Sequence, residues 1–371
     1  MRTLTALVAL ICTLAPGVPA RAAVAATPAF NSTVWALAFR SDTVYVGGSF
    51  TEVTFRGHTY TRKRLAAFSA RTGAVLPWNP AANGTVRSLA VTVTGRPAVY
   101  AAGDFDTVAG ARRDSVARID AVTGRLDRFS HTVSGTVSTL AVGNGRVYVG
   151  GAFSRVDGTV RRNLAAFSHA SGGLDRTFRP GTDGRVRALA VTRTRLYAGG
   201  EFTHVNGASR ARLAAVTPAT GGLVTAFRPA APHLVMDIAV SPTGISTGTG
   251  GPGGRAVGYT PSGAIRWTHL FDGDVHNLAV LGGTTYVGGH FDRACRTTST
   301  IRQLGCPAGY QPRVKLAALD SAGRLTAWNP RANGTYGVQV VTADAGHRRV
   351  GAGGAFTSIG GAGRYRFALF S

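Results

Sequence analysis

Nine histidines, seventeen carboxylates and three cysteines are the residues of this 371-residue chain best suited to acid–base, nucleophilic or metal chemistry. Their spacing serves none of the three well. His58, His131, His169, His204, His233, His269, His276, His290 and His347 are scattered, with no His-Glu-x-x-His, no Cys-x-x-Cys and no pair at ligand spacing. Asp104-x-Asp106 and Asp272-Gly-Asp274 offer paired oxygens to calcium. Without the run of further oxygens that a calcium loop supplies, they read as turn residues accepting backbone N–H groups. No Gly-x-Ser-x-Gly elbow is read in the chain, so serine catalysis has no candidate. The glycine-rich stretches lack the Lys-Ser/Thr pair of a phosphate loop. The expectation is therefore no catalytic residue, no metal and no cofactor.

Arginine is different, because it recurs in register. Arg62, Arg113, Arg161, Arg210, Arg313 and Arg364 stand at one position of a repeated unit. A guanidinium held at a fixed place in a loop can satisfy several carbonyls, so these six are read as structural. Lys63, Arg64, Arg112, Arg162, Arg212, Lys315 and Arg366 flank them. These seven are read as not fixed in position and as the candidate anion-binding rim, joined by Arg87, Arg185 and Arg187 from neighbouring links. The chain carries a formal charge of +24, with two lysines among 41 basic residues. Such a charge attracts anionic polymers whether selected for that or produced by a compositional bias toward arginine.

The elements that must position these residues are strands. Lys and Glu each occur only twice, which disfavours helix. A unit runs through a small apolar strand, a strand ending in Gly-Gly-x-Phe, a Val-x-Gly-x-x-Arg loop, and a Leu-Ala-Ala-Phe strand. A Thr-Gly or Ser-Gly turn follows, then a Leu-x-x-Phe/Trp run that often ends in Pro. The second glycines, Gly48, Gly103, Gly151, Gly200, Gly289 and Gly354, are 55, 48, 49, 89 and 65 residues apart. The gap of 89 must hold two units, the degraded one starting near Leu234. A period near fifty with four strands per unit predicts an all-β, seven-bladed propeller of four-stranded antiparallel blades. The blades are expected to begin near 34, 86, 137, 186, 235, 275 and 336. The last unit ends at its third strand. By alignment with Gly73–Val86, Ala23–Phe30 is expected to supply the missing fourth strand and close the ring.

The first 22 residues read as a secretory signal. Arg2 is followed by the apolar Leu4–Leu14, then Pro16-Gly17, then Ala20-Arg21-Ala22 as a cleavage site, with cleavage after Ala25 or Ala26 as alternatives. Removing them takes away two arginines and no acid, leaving +22 on residues 23–371. No later apolar run reaches membrane-spanning length. The chain is thus expected to be secreted, extracellular or wall-associated, and monomeric. Export leaves Cys295 and Cys306 as a pair, which implies a disulfide. It would tether an insertion: second glycine to third strand takes 13 residues in three units and 27 in the sixth.

The Tyr-Val-Gly-Gly-x-Phe, Val-x-Gly-x-x-Arg, Leu-Ala-Ala-Phe, Thr-Gly pattern resembles the delta-sixty and kelch-like propeller repeats of secreted bacterial proteins. The resemblance implies a propeller scaffold without assigned chemistry. The function expected is a non-catalytic binding or scaffold module with an anionic polysaccharide, wall polymer or protein as partner. Specific nucleic-acid binding is not expected. One alternative is a glycan-binding or glycan-cleaving propeller using Trp35, Trp78, Trp267 and Trp328, although the aspartate boxes of propeller sialidases are absent. Another is a pure structural scaffold.

Overall fold

The structure, a computed structural model, describes residues 27–92 and 95–371. The signal segment and Ala23–Ala26 lie outside the described residues. No helix occurs among those described, and so none long and apolar enough to cross a membrane. The chain folds as successive antiparallel sheets of one pattern. Their first strands are Val34–Arg40, Val86–Val91, Val133–Gly143, Val186–Val191, Leu234–Ser241, Val275–Leu281 and Val338–Asp344. Each pairs with a strand running to the Gly-Gly position, and that strand pairs with a third on its other side. These first strands lie side by side, and Val34–Arg40 contacts both Val86–Val91 and Val338–Asp344.

Glycine permits this approach. A β-carbon on Gly47 would lie 2.6 Å from the Val86 side chain, and one on Gly353 would lie 2.5 Å from that of Val34. The first glycine of Gly-Gly-x-Phe is thus a seat for the leading valine of the next unit, and Gly353 seats that of the first. Aromatic pairs bind the sheets farther out. Tyr45–Trp78, Tyr148–Phe178, Tyr197–Phe227 and Tyr286–Trp328 meet edge to face at 5.1–5.3 Å, a favoured ring geometry.

Two details differ from the sequence reading. The fourth run is a full strand only in the fifth sheet, as Ile265–Leu270. Elsewhere it makes a single bridge, such as Phe68↔Val75, Ile119↔Leu126 or Phe167↔Leu174. The reason is length. In those units the aromatic turns inward to pack three or four residues after the bridge, and proline often follows, so no ladder can grow. The fifth unit has neither interruption. The second difference is the N-terminus. Ala29–Phe30 pairs with Val53 and Thr54 of Glu52–Phe55 in the first unit, while the rest of the expected closing strand, Ala23–Ala26, lies outside the described residues. It still touches that sheet: the Phe30 N–H donates to the Tyr365 carbonyl at 3.2 Å. The Phe30 ring also packs between Phe50 and Phe367. Phe30↔Val53 matches Ala82↔Val108 and Ala332↔Ile359 in other units. The segment therefore serves as a link between units, to which its short apolar stretch is suited.

Cys295 and Cys306 form a disulfide with α-carbons 5.4 Å apart. The tethered loop covers the fifth sheet. Ser299 N–H donates to Thr268 O, and the buried Arg255 guanidinium donates to Gln303 O. The fifth unit has only a short turn where the others have a loop, and the insertion in the sixth fills that space.

Candidate functional site at the channel mouth

In all seven first strands the register slips at one place: Val34/Ala36, Val86/Ser88, Val137/Thr139, Val186/Ala188, Val235/Asp237, Val275/Asn277 and Val338/Val340. A bulge leaves its extra residue out of the ladder and re-aims the side chain. The residues so released are Trp35, Arg87, Ser138, Arg187, Met236, His276 and Gln339. All seven line a cavity of about 360 Å³ bounded by the first strands, with Asp237 and Asn277 deeper in.

The bulge also frees a backbone N–H. Ser88, Asp237 and Asn277 accept these from Leu140, Leu278 and Val341 of the following unit. Burial pushes the Asp237 carboxyl up to about 6. Only backbone N–H groups oppose that rise.

At the mouth, the bulged residue meets the x residue of its own Gly-Gly-x-Phe. Trp35 Nε1 donates to Ser49 Oγ at 2.9 Å. Arg87 pairs with Asp104 at 2.6 Å and Arg187 with Glu201 at 2.5 Å. In the sixth unit the two positions hold histidines, with His276 Nε2 3.3 Å from His290 Nδ1. Arg87 also lies over the Trp35 ring at 5.4 Å. Arg185, on the link before the fourth sheet, has no hydrogen-bond or ion-pair partner for its guanidinium among the described residues, and its Nε is buried. Burial lowers its pKa, and Arg187 and Arg87 push the same way. That is the electrostatic signature of three clustered cations beside two carboxylates.

The arginines in register sit as loop clamps. Arg62, Arg113, Arg161 and Arg313 each donate to the preceding carbonyl and to the carbonyl fourteen or thirteen residues on, Leu76, Asp127, Asp175 and Thr326. Arg210 and Arg364 donate to the preceding carbonyls of Ser209 and Gly363.

The seven flanking cations are not one set. Arg64, Arg212, Lys315 and Arg366 occupy a second repeated position, shared with Ser115 and Asn163, with φ between 58° and 70°. There the backbone N–H donates to the Phe carbonyl of Gly-Gly-x-Phe. Arg64, Lys315 and Arg366 reach the x-residue carbonyls of Ser49, His290 and Ala355. Lys315 is buried and also pairs with Asp292 at 2.8 Å. Four of the seven therefore share a fixed backbone position, where none was expected, and three of them, Arg64, Lys315 and Arg366, also bond through their side chains. Lys63, Arg112 and Arg162 are exposed, and Arg112 pairs with Asp114.

Of the tryptophans, Trp78 and Trp267 are buried and Trp328 packs between Tyr286 and Phe370. Trp35 alone of the four lines the mouth. Gly244-Ile245-Ser246-Thr247-Gly248 has the spacing of a nucleophile elbow, which the sequence reading passed over. It lies inside the strand Gly244–Gly250, Ser246 is buried, and no helix follows. An elbow needs an exposed strand-to-helix turn.

Sequence reasoning also missed the grouping of Asp274, His276 and His290, whose ligand atoms lie within 4.8 Å of one another. The signal was present in the repeat. His276 and His290 occupy the two positions that hold Arg and Asp in the second unit and Arg and Glu in the fourth.

With this geometry in view, the comparisons define the class. Residues 143–178 match the model described as a domain of unknown function (DUF5122) beta-propeller. The chain is similar to the WD40 beta propeller domain of Doa1, with a TM-score of 0.58 and 10% identity over 93% of this chain and 96% of that one. It is also similar to the computationally designed Ika8 protein, with a TM-score of 0.54 and 14% identity over 92% and 97%. No curated protein matches. The chain is a β-propeller domain.

Proposed function

We propose that this is an exported, seven-bladed propeller of the delta-sixty, kelch-like kind that acts as a binding module without catalysis. Its ligand is an anionic polymer or an acidic protein surface seated over the channel mouth. The observation that carries the reading is the Arg87, Arg185 and Arg187 cluster. Two of the three are neutralised by Asp104 and Glu201, and Arg185 is left over. Lys63, Arg112 and Arg162 extend the positive field outward from the same end of the sheets. The contact of the first strand with the last, and Gly353 against Val34, support the seven-bladed ring.

The test is binding of a soluble polyanion, dextran sulfate, to the mature chain across a salt series. Exposed charges act over only about 8 Å at physiological ionic strength, so affinity should fall steeply with salt. Arg185→Gln should weaken binding about tenfold, the worth of one charge-assisted hydrogen bond. Lys63→Gln, Arg112→Gln and Arg162→Gln together should flatten the salt dependence. Unchanged binding in both variants would make the positive charge a compositional bias. N-terminal sequencing of protein from culture medium, with Ala23 first, checks export.

A further inference from the structure

We propose that Asp274, His276 and His290 form a binding site for one divalent transition metal ion of the zinc class at the edge of the channel mouth. The inference does not depend on the anion-binding reading, since it rests on other residues and on metal binding alone.

The geometry of the pair is the first argument. Two imidazole nitrogens on a tetrahedral ion at bonds of about 2.0–2.1 Å must stand about 3.3 Å apart. His276 Nε2 and His290 Nδ1 are 3.3 Å apart. One carboxylate oxygen of Asp274 and one ring nitrogen of each histidine lie within 4.8 Å of one another, which makes Asp274 the third ligand.

The second argument is the tautomer. His276 Nδ1 lies 3.2 Å from the Val338 carbonyl oxygen. A carbonyl can only accept, so Nδ1 carries the proton and the neutral ring presents its lone pair at Nε2. A second-shell carbonyl holding the distal N–H of a ligating histidine is the usual way such a ring is aimed. Asp274 is oriented as well. Its Oδ1 accepts the Gly251 N–H at 2.9 Å, leaving Oδ2 free.

Two imidazoles and one carboxylate suit zinc, nickel or copper, and suit calcium or magnesium poorly, because those ions take oxygen ligands. Three protein ligands leave the fourth tetrahedral position open. An open groove lined by His290, Asp292, Lys315, Asn333 and Thr335 adjoins the site. A carboxylate or phosphate oxygen entering along the groove could complete the coordination. The nearby Lys315 ammonium opposes a metal cation, but it is turned onto the His290 carbonyl and the Asp292 carboxylate, which offsets its charge.

The competing account is a plain hydrogen bond from His290 Nδ1–H to His276 Nε2, with no metal. The experiment is calorimetric titration of Zn²⁺ into the untagged, chelator-treated mature chain, repeated with Co²⁺ for its visible spectrum. The expected result is one tight ion per chain, tetrahedral Co²⁺ absorption and no competition from Mg²⁺. His290 is exposed, so His290→Ala should fold normally. It and Asp274→Asn should each lower affinity at least tenfold, while His204→Ala, at a distant exposed histidine, should change nothing. Absence of saturable Zn²⁺ binding by the wild type, or equal binding by the His290→Ala and wild-type proteins, overturns the site.

Discussion

At the scale of single residues, Asp237 is the clearest case of a side chain set by its surroundings. It does for Leu278 what Asn277 does for Val341, but with a group that ionises. Its folded pKa of about 6 lies above the unfolded reference of 3.8. The stability it contributes is therefore full below the unfolded value and is lost as pH rises through about 6. Asp237→Asn keeps an oxygen for the Leu278 N–H and removes the charge. The variant should match wild type near pH 3.5–4 and be more stable by about 1–3 kcal/mol at pH 7.5. Denaturant midpoints measured at the two pH values check this. A variant less stable than wild type at pH 7.5 would show that the Asp237 carboxylate has a partner not yet identified. The six loop arginines make the converse point. Their charge finds carbonyls rather than acids, so the arginine count overstates the charge available to a partner.

At the scale of elements, the tethered loop and the fifth sheet depend on each other. The loop supplies Gln303 O to Arg255, a fully buried guanidinium with no carboxylate partner among the described residues. Cys306→Ser should lower stability by up to about 3 kcal/mol, the chain-entropy value for so small a ring. It should also open the segment between Cys295 and Tyr310 to proteolysis well before the sheets unfold. Limited digestion followed by mass spectrometry reads this directly. If cleavage sites are unchanged, contacts to Thr268 and Arg255 hold the loop without the disulfide. The bulges are a second device at this scale. The slip that all seven first strands share turns one residue of each toward the channel. Function can then vary at those positions without disturbing the core.

At the scale of the whole molecule, the question is how the two ends meet. Phe30 bridges them, touching Phe50 in the first unit and Phe367 in the last, while its N–H holds Tyr365. Phe30→Ala should cost about 3–5 kcal/mol, as for other large core truncations. Hydrogen exchange should rise first along the seam formed by Val34–Arg40 and Val338–Asp344. Uniform exchange across all sheets would mean that the ring opens nowhere in particular and that the N-terminal link is not its latch.

Sequence alone determined the repeat, the all-β character, the place of the degraded fifth unit and the Cys295–Cys306 pairing. It could do so because turn glycines, period-two apolar runs and cysteine spacing are local and recur. It also marked the repeated arginine position, where identity follows from a loop that must satisfy its own carbonyls. Only the tertiary structure decided which cations are free. Arg64 and Lys63 are neighbours in sequence, yet one is locked at positive φ onto Ser49 and the other faces solvent. Only the tertiary structure, too, brought Asp274, His276 and His290 together. His276 lies on the strand Val275–Leu281 and His290 just past its partner Thr284–Gly289, fourteen residues on, and only repeat alignment hints at that approach. It follows from a one-residue slip in the ladder, which depends on how neighbouring sheets pack around the channel.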